Sequence, residues 1–254
     1  MKQKILFLGL AVLLGYVMVA AGEGNGNSQQ DQAPPEMQVK YGTTPTIDGT
    51  IEKREWDGAQ KIKMEDGRTI LVKHDADCFY VGFIGKGHGI GSIFVLSDDK
   101  VNVLHASFSL GTAVYQKEKD NDTWKNIIPF KWDRDADKCW KNMGWKANMI
   151  PTGDKCHMEF AVSFKVLGIK TEDIDIRDKE SIPAPTVVLA YFPVTKEGRV
   201  REGKTLTWPK DIDDGSVNER LMMGSSVKEL KFNPDKWGRL RSETCWLNPE
   251  EEKD

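Results

Sequence analysis

Past its first twenty residues the sequence has no apolar run long enough to cross a bilayer, which takes about 20 residues. It has no block of one charge sign either. Its 36 basic and 39 acidic residues are interspersed, which argues against a nucleic-acid or anionic-membrane partner. Gly-x-Ser-x-Gly, His-Glu-x-x-His and a glycine-rich phosphate loop are missing, and with them the nucleophile, zinc and nucleotide chemistry they carry. The 4 histidines (His74, His88, His105, His157) have no metal-ligand spacing. No Cys-x-x-Cys-His is present to attach haem covalently. Acidic pairs such as Asp173 with Asp175, or Asp213 with Asp214, sit in polar loops without a visible partner. Glycoside hydrolysis needs two placed carboxylates. The sequence does not read as an enzyme.

The N-terminus is different in kind. Lys2 and Lys4 precede an apolar run from Ile5 to Val19, followed by Ala20, Ala21 and Gly22. A charged start, a short apolar centre and a small-residue site predict a cleaved secretory signal over residues 1–21, hence a secreted or periplasmic protein. Residues 22–39 have almost nothing to bury and read as a disordered spacer. Residues 40–247 remain as a single domain, with an acidic tail at 248–254. The 4 cysteines of an exported chain allow two disulfides in three complete pairings. Cys139 with Cys156 would close a short local loop and leave Cys78 with Cys245.

Period-2 alternation runs through the domain. Thr69–His74 and Cys78–Ile84 flank the polar turn Asp75-Ala76-Asp77 and read as a hairpin. In Lys155–Ser163 the apolar face is Cys156, Met158, Phe160 and Val162, with His157, Glu159 and Ser163 opposite. Further strands are predicted at Ser92–Ser97, Ala113–Gln116, Ile127–Trp132, Trp145–Ile150, Thr186–Phe192 and Thr205–Trp208. Helical signals are few: Ile51–Trp56, Phe164–Leu167 and Val217–Met223. The glycines around His88 (Gly85, Gly87, Gly89, Gly91) read as a flexible loop. Many short strands separated by turns predict an all-β sandwich or barrel with a few short helical turns.

Four segments, in order, carry a family resemblance. Lys40–Ala59 holds Pro45, Ile47, Asp48, Gly49, Glu55 and Trp56; Val72–Phe83 is the hairpin; Lys155–Ile169 is a strand followed by a helical turn; Asn233–Arg241 is a closing strand. Together they resemble the family 9 carbohydrate-binding modules and their DOMON-like relatives. The resemblance implies an antiparallel β-sandwich of jelly-roll or DOMON-like type, secreted and non-catalytic, often attached to glycoside hydrolases. Its ligand would be a carbohydrate held between tryptophans, and calcium a structural ion. The tryptophan clamp itself is not matched: His88 falls at the first position, and Lys231 or Phe232 near the second.

Phe130–Trp145 (FKWDRDADKCWKNMGW) carries the remaining candidates. Asp133, Asp135 and Asp137 start like an EF-hand loop, but Lys138 and Gly144 stand where that loop needs glycine and glutamate, so only a looser calcium site is open to them. The alternative is a solvated acidic turn at a hairpin tip. The expected ligand-binding set is His88, Trp140, Trp145, Phe232 and Trp237. Two other readings stay open. One is a haem-binding electron-transfer protein using Met143, Met149, His157 or Met158; the other is a structural or interaction module of the envelope.

Overall fold

The computed structural model describes residues 33–119, 121–152, 155–174, 184–195 and 203–247. The expected signal, most of the spacer and the acidic tail lie outside the described residues. The first half contains β1 (Glu36–Val39), β2 (Gln60–Lys63), β3 (Thr69–His74), β4 (Cys78–Lys86), β5 (His88–Ser97), β6 (Lys100–Ala106) and β7 (Leu110–Lys117). Next come β8 (Trp124–Asp133), helix α1 (Ala136–Met143), β9 (Trp145–Thr152), β10 (Lys155–Ser163) and β11 (Thr186–Val194). The chain closes with β12 (Leu206–Trp208), the single turn α2 (Glu219–Met222), β13 (Glu229–Leu230) and β14 (Gly238–Ser242). Among the described residues no helix is long and apolar enough to cross a membrane.

The strands form two sheets. The larger runs β1-β14-β11-β5-β6-β7-β8-β13, with β12 also on β11; the smaller runs β2-β3-β4-β10-β9. All pairings between named strands are antiparallel except β1 with β14. The fold is an all-β sandwich. Alternation in the sequence sets which side chains face the middle. Val72, Phe79, Val81, Phe83, Met158 and Phe160 of the smaller sheet meet Ile93, Val95, Leu104, Val187 and Leu189 of the larger. Trp145 fastens the two: its ring stacks on Phe160 at 6.1 Å, and its Nε1 donates to Thr112 Oγ1 at 2.8 Å.

Both outer faces are covered as well. Trp56, with Ile47 and Ile51, packs on Leu71, Tyr80 and Ala161 outside the smaller sheet. These residues therefore roof one face of the sandwich. Residues 209–237 roof the larger sheet, where Ile212, Leu221, Phe232 and Trp237 lie against Phe94, Tyr115 and Phe192. Asp214 holds that roof together. Its carboxylate accepts from Trp237 Nε1 at 2.7 Å, from the Asn233 amide at 2.8 Å and from the Ser216 amide at 2.8 Å. The partner that the sequence did not show for Asp214 comes from residues about twenty positions away.

Several elements differ from the sequence expectations. Residues 36–39, assigned to the spacer, form β1, with Met37 and Val39 buried. The glycine-rich stretch is strand: β4 and β5 meet at Gly87, whose φ of 70° favours glycine, and the outlying glycines lie in the ladder. Gly89 must lack a side chain, since a Cβ there would fall 1.9 Å from Tyr191 Cζ. Strand β6 was missed. Ile51–Trp56 makes turns instead of a helix.

Segment 133–145 is not a hairpin tip. Strand β8 belongs to the larger sheet and β9 to the smaller, and α1 carries the chain between them. Asp135 caps the helix, accepting from the Asp137 and Lys138 amides, and Gly144 ends it in the left-handed conformation at φ 72°.

Candidate functional site

The structure separates the expected ligand-binding residues. Trp145 and Trp237 have no exposed surface, and Phe232 is buried under the roof of the larger sheet. Their neighbours Lys231 and Lys236 are exposed and Lys146 lies half-buried near Trp140, so the rings serve packing. These three are corrected from ligand contacts to core. His88 is half-buried at the start of β5, six positions along the strand from Phe94, the ring that Phe232 and Trp237 pack against. Trp140 alone keeps the expected character: it is 36 % exposed on α1, with Lys146 Nζ 5.9 Å from its ring centroid.

The three aspartates do not converge on an ion. Asp133 Oδ1 accepts the Asp135 amide at 2.9 Å, and Asp135 Oδ1 accepts two helix amides at 3.0 and 3.1 Å. Among the described residues no group of three acidic, histidine or cysteine side chains is placed to hold a metal. The haem ligand set is also divided, because His157 and Met158 are adjacent on β10 and so face opposite sides of the smaller sheet.

The expected disulfides are not formed; all four cysteines are free thiols. Helix α1, which carries Cys139, leads into the Trp145 end of β9. Cys156 pairs with Pro151, six register positions along β10 from the residue that faces Trp145. Cys78 lies on the outer face of the smaller sheet, whereas Cys245 is in the turn after β14 beside the buried Trp246. Burial pushes the Cys78 thiol up to about 11. Burial, with the charge of Asp133, pushes Cys139 up to about 12. Both are held protonated and unreactive. A thiol reagent should therefore titrate 4 groups in denaturant without any reductant, Cys245 reacting first in the native protein. Fewer than 4 groups would bring the disulfides back.

Trp140 borders an open groove of about 830 Å³ between the ends of the two sheets. Asp77 comes from the β3–β4 turn, Asp98 from the β5–β6 turn, and Lys165, Thr171 and Glu172 from the segment after β10. Asp98 takes a φ of 53°, a conformation that aspartate tolerates better than most residues. The groove thus sets one flat, partly exposed indole beside carboxylates that accept hydrogen bonds and lysines and hydroxyls that donate them. Such a surface suits a ligand with one apolar face and a rim of hydroxyl groups.

The residue that sequence reading missed is Glu159. Alternation places it opposite the apolar face of β10, yet it is fully buried. Its carboxylate accepts Trp56 Nε1 at 2.8 Å and the Gly49 amide at 2.9 Å. The Pro45–Trp56 motif is therefore clamped onto the smaller sheet by one acidic side chain a hundred residues away. Within the motif Asp48 ties its own turn, accepting the Thr50 amide at 2.7 Å. Gly49, at φ 90°, sits where a Cβ would come within 2.8 Å of Ile150. The only sequence signal was an acid inside a strand whose other face is apolar.

The class that fold and groove define is an all-β sandwich with a solvent-open, tryptophan-edged surface site. Solved structures of similar fold include a family 9 carbohydrate-binding module from Caldicellulosiruptor kristjanssonii in complex with cellotriose. It is 10 % identical, with a TM-score of 0.45 over 86 % of this chain and 97 % of that one. The complex of a family 9 module from the same organism with glucose gives 10 %, 0.43, 82 % and 95 % for the same quantities. A protein of Bacteroides uniformis assigned a carbohydrate-binding role gives 11 %, 0.46, 83 % and 100 %. No protein-family model matches the sequence, and no curated protein is similar to it.

Proposed function

We propose that this is an exported, non-catalytic carbohydrate-binding domain whose glycan lies in the Trp140 groove. The observation that carries the reading is the partly exposed indole of Trp140 at the edge of a groove otherwise lined by acceptors and donors. A pyranose ring stacks its C–H face on such an indole while its hydroxyls reach the flanking carboxylates and lysines. The signal-like N-terminus and the motif resemblance of Tyr41–Arg241 agree with it. The missing nucleophile and metal motifs speak for binding without turnover.

Titration calorimetry of the mature chain against neutral cello-, xylo- and manno-oligosaccharides is the test. A saturable heat with at least one series is expected, with no release of reducing ends. Silence across the panel at millimolar ligand would sink the reading and leave an envelope interaction module in its place.

A further inference from the structure

A second cavity, of about 390 Å³, opens where the β6–β7 turn, the start of α1 and strand β9 meet. Its floor is apolar, built from Ala106, Leu110, Ala147 and Met149. Its rim is Ser107, Phe108, Ser109, Arg134 and Asn148. The volume is near the lower end of the ~300–1,000 Å³ typical of small-molecule sites.

The rim differs in kind from the Trp140 groove. The groove mixes carboxylates with lysines, whereas no carboxylate lines this cavity and its one charged group is the Arg134 guanidinium. Arg134 is flanked in sequence by Asp133 and Asp135. Both have turned an oxygen to backbone amides, and Asp135 also lies 3.9 Å from Lys138. Arg134 makes no ion pair with either of them. Phe108 stands 70 % exposed at the turn. The turn is closed beneath it, since the Ser107 amide and hydroxyl donate to the Ser109 carbonyl at 3.1 and 3.2 Å. One exposed ring is ordinary on a protein surface. A ring held by a closed turn over a cavity whose only charge is a forked cation is a more specific arrangement.

We propose that this cavity is a second binding site, taking the carboxylate of a sugar acid such as a terminal hexuronate. Arg134 grips the carboxylate with parallel N–H donors, the geometry in which guanidinium surpasses ammonium. Phe108 covers the ring's C–H face, and Ser107, Ser109 and Asn148 meet its hydroxyls. The proposal does not depend on the Trp140 reading, because the two sites share no lining residue.

The test is calorimetry of the mature chain with glucuronate, galacturonate and digalacturonate. Glucose and lactate serve as the neutral sugar and the carboxylate without a ring. In Trp140→Ala, where the groove no longer contributes, hexuronate should bind at least tenfold tighter than either control and weaken with added salt. Arg134→Gln should lose at least tenfold, Arg134→Lys should fall between, and Phe108→Ala should weaken the sugar acid but not lactate. Trp140→Ala should leave hexuronate binding unchanged. All these side chains are exposed, and near-ultraviolet circular dichroism checks that each variant keeps its fold. Equal affinity of Trp140→Ala for glucose and glucuronate, or an Arg134→Gln variant that binds hexuronate like wild type, overturns the proposal. Lactate binding equal to glucuronate reduces the site to an anion contact and overturns the sugar assignment. Loss of hexuronate binding in Trp140→Ala shows a single site and overturns it too. Failure of the neutral panel alone touches only the Trp140 reading.

Discussion

Trp140→Ala should abolish measurable binding of neutral glycans while the domain stays folded. The indole is 36 % exposed on a helix whose inward contact is Cys139, so its removal leaves no core cavity. Truncating a tryptophan that carries a stacking contact typically costs about 2 kcal/mol, roughly a thirtyfold loss of affinity. The Lys146 contact at 5.9 Å contributes little to stability at an exposed site. Trp145→Ala is the contrasting control. It removes a fully buried ring and its bond to Thr112, and should cost about 3–5 kcal/mol of folding stability. Calorimetry for affinity and urea unfolding for stability separate the two. If Trp140→Ala binds its glycan like wild type, the groove is not the site.

Glu159 should control both the stability of the domain and its dependence on pH. Glu159→Ala leaves the Trp56 and Gly49 donors buried without an acceptor. At about 1–3 kcal/mol for each orphaned donor the cost is about 2–6 kcal/mol, a large part of what holds a domain folded. Burial drives the carboxyl up to about 7. The Trp56 and Gly49 donors oppose the rise, and the charges of Asp48 and Glu55 add to it. Below the ordinary value of 4.5 the carboxyl is protonated folded or unfolded. Between 4.5 and about 7 the folded state keeps a proton that the unfolded chain has released. Stability from this group is therefore full below the lower value and is lost as pH rises through the upper one. The wild-type minus Glu159→Gln difference in unfolding midpoint should fall from pH 4 to 8, because the buried His74 and His105, which act in the opposite sense, are common to both proteins. Parallel curves, or an alanine variant within about 0.5 kcal/mol of wild type, would remove Glu159 from this role.

What was legible in the sequence was what local alternation controls. Thr69–His74 and Lys155–Ser163 are observed with the ends their pattern gave, because one face of each is continuous with the core. Strand β6 was missed although it alternates, since its second face is also buried, under the roof, and the pattern loses contrast. Helix α1 could have been read from Asp135 as a cap, Gly144 as a stop and Ala136, Cys139 and Met143 along one side. Three alternating aspartates in the same stretch match the start of a metal loop as well. The site was less legible, for one reason: a sequence shows neighbours along the chain, not across it. Trp145 and Trp237 are flanked by lysines and yet buried, and Glu159 lies on a polar face that a distant segment covers. Trp140 was read as a ligand contact; Arg134 and Phe108 carry no motif.

The parallel pairing of β1 with β14 has a mechanical consequence. Glu36–Val39 lies beside Arg239–Ser242 in one direction, and Arg241 Nε meets both Glu36 carboxylate oxygens at 3.1 Å. Tension applied upstream of Glu36 and downstream of Ser242 would draw these strands in opposite senses along their shared axis. Every bond of the ladder then carries load together, in shear, instead of opening one at a time from an end. Resistance to such a pull is set by the height of the unfolding barrier and not by equilibrium stability.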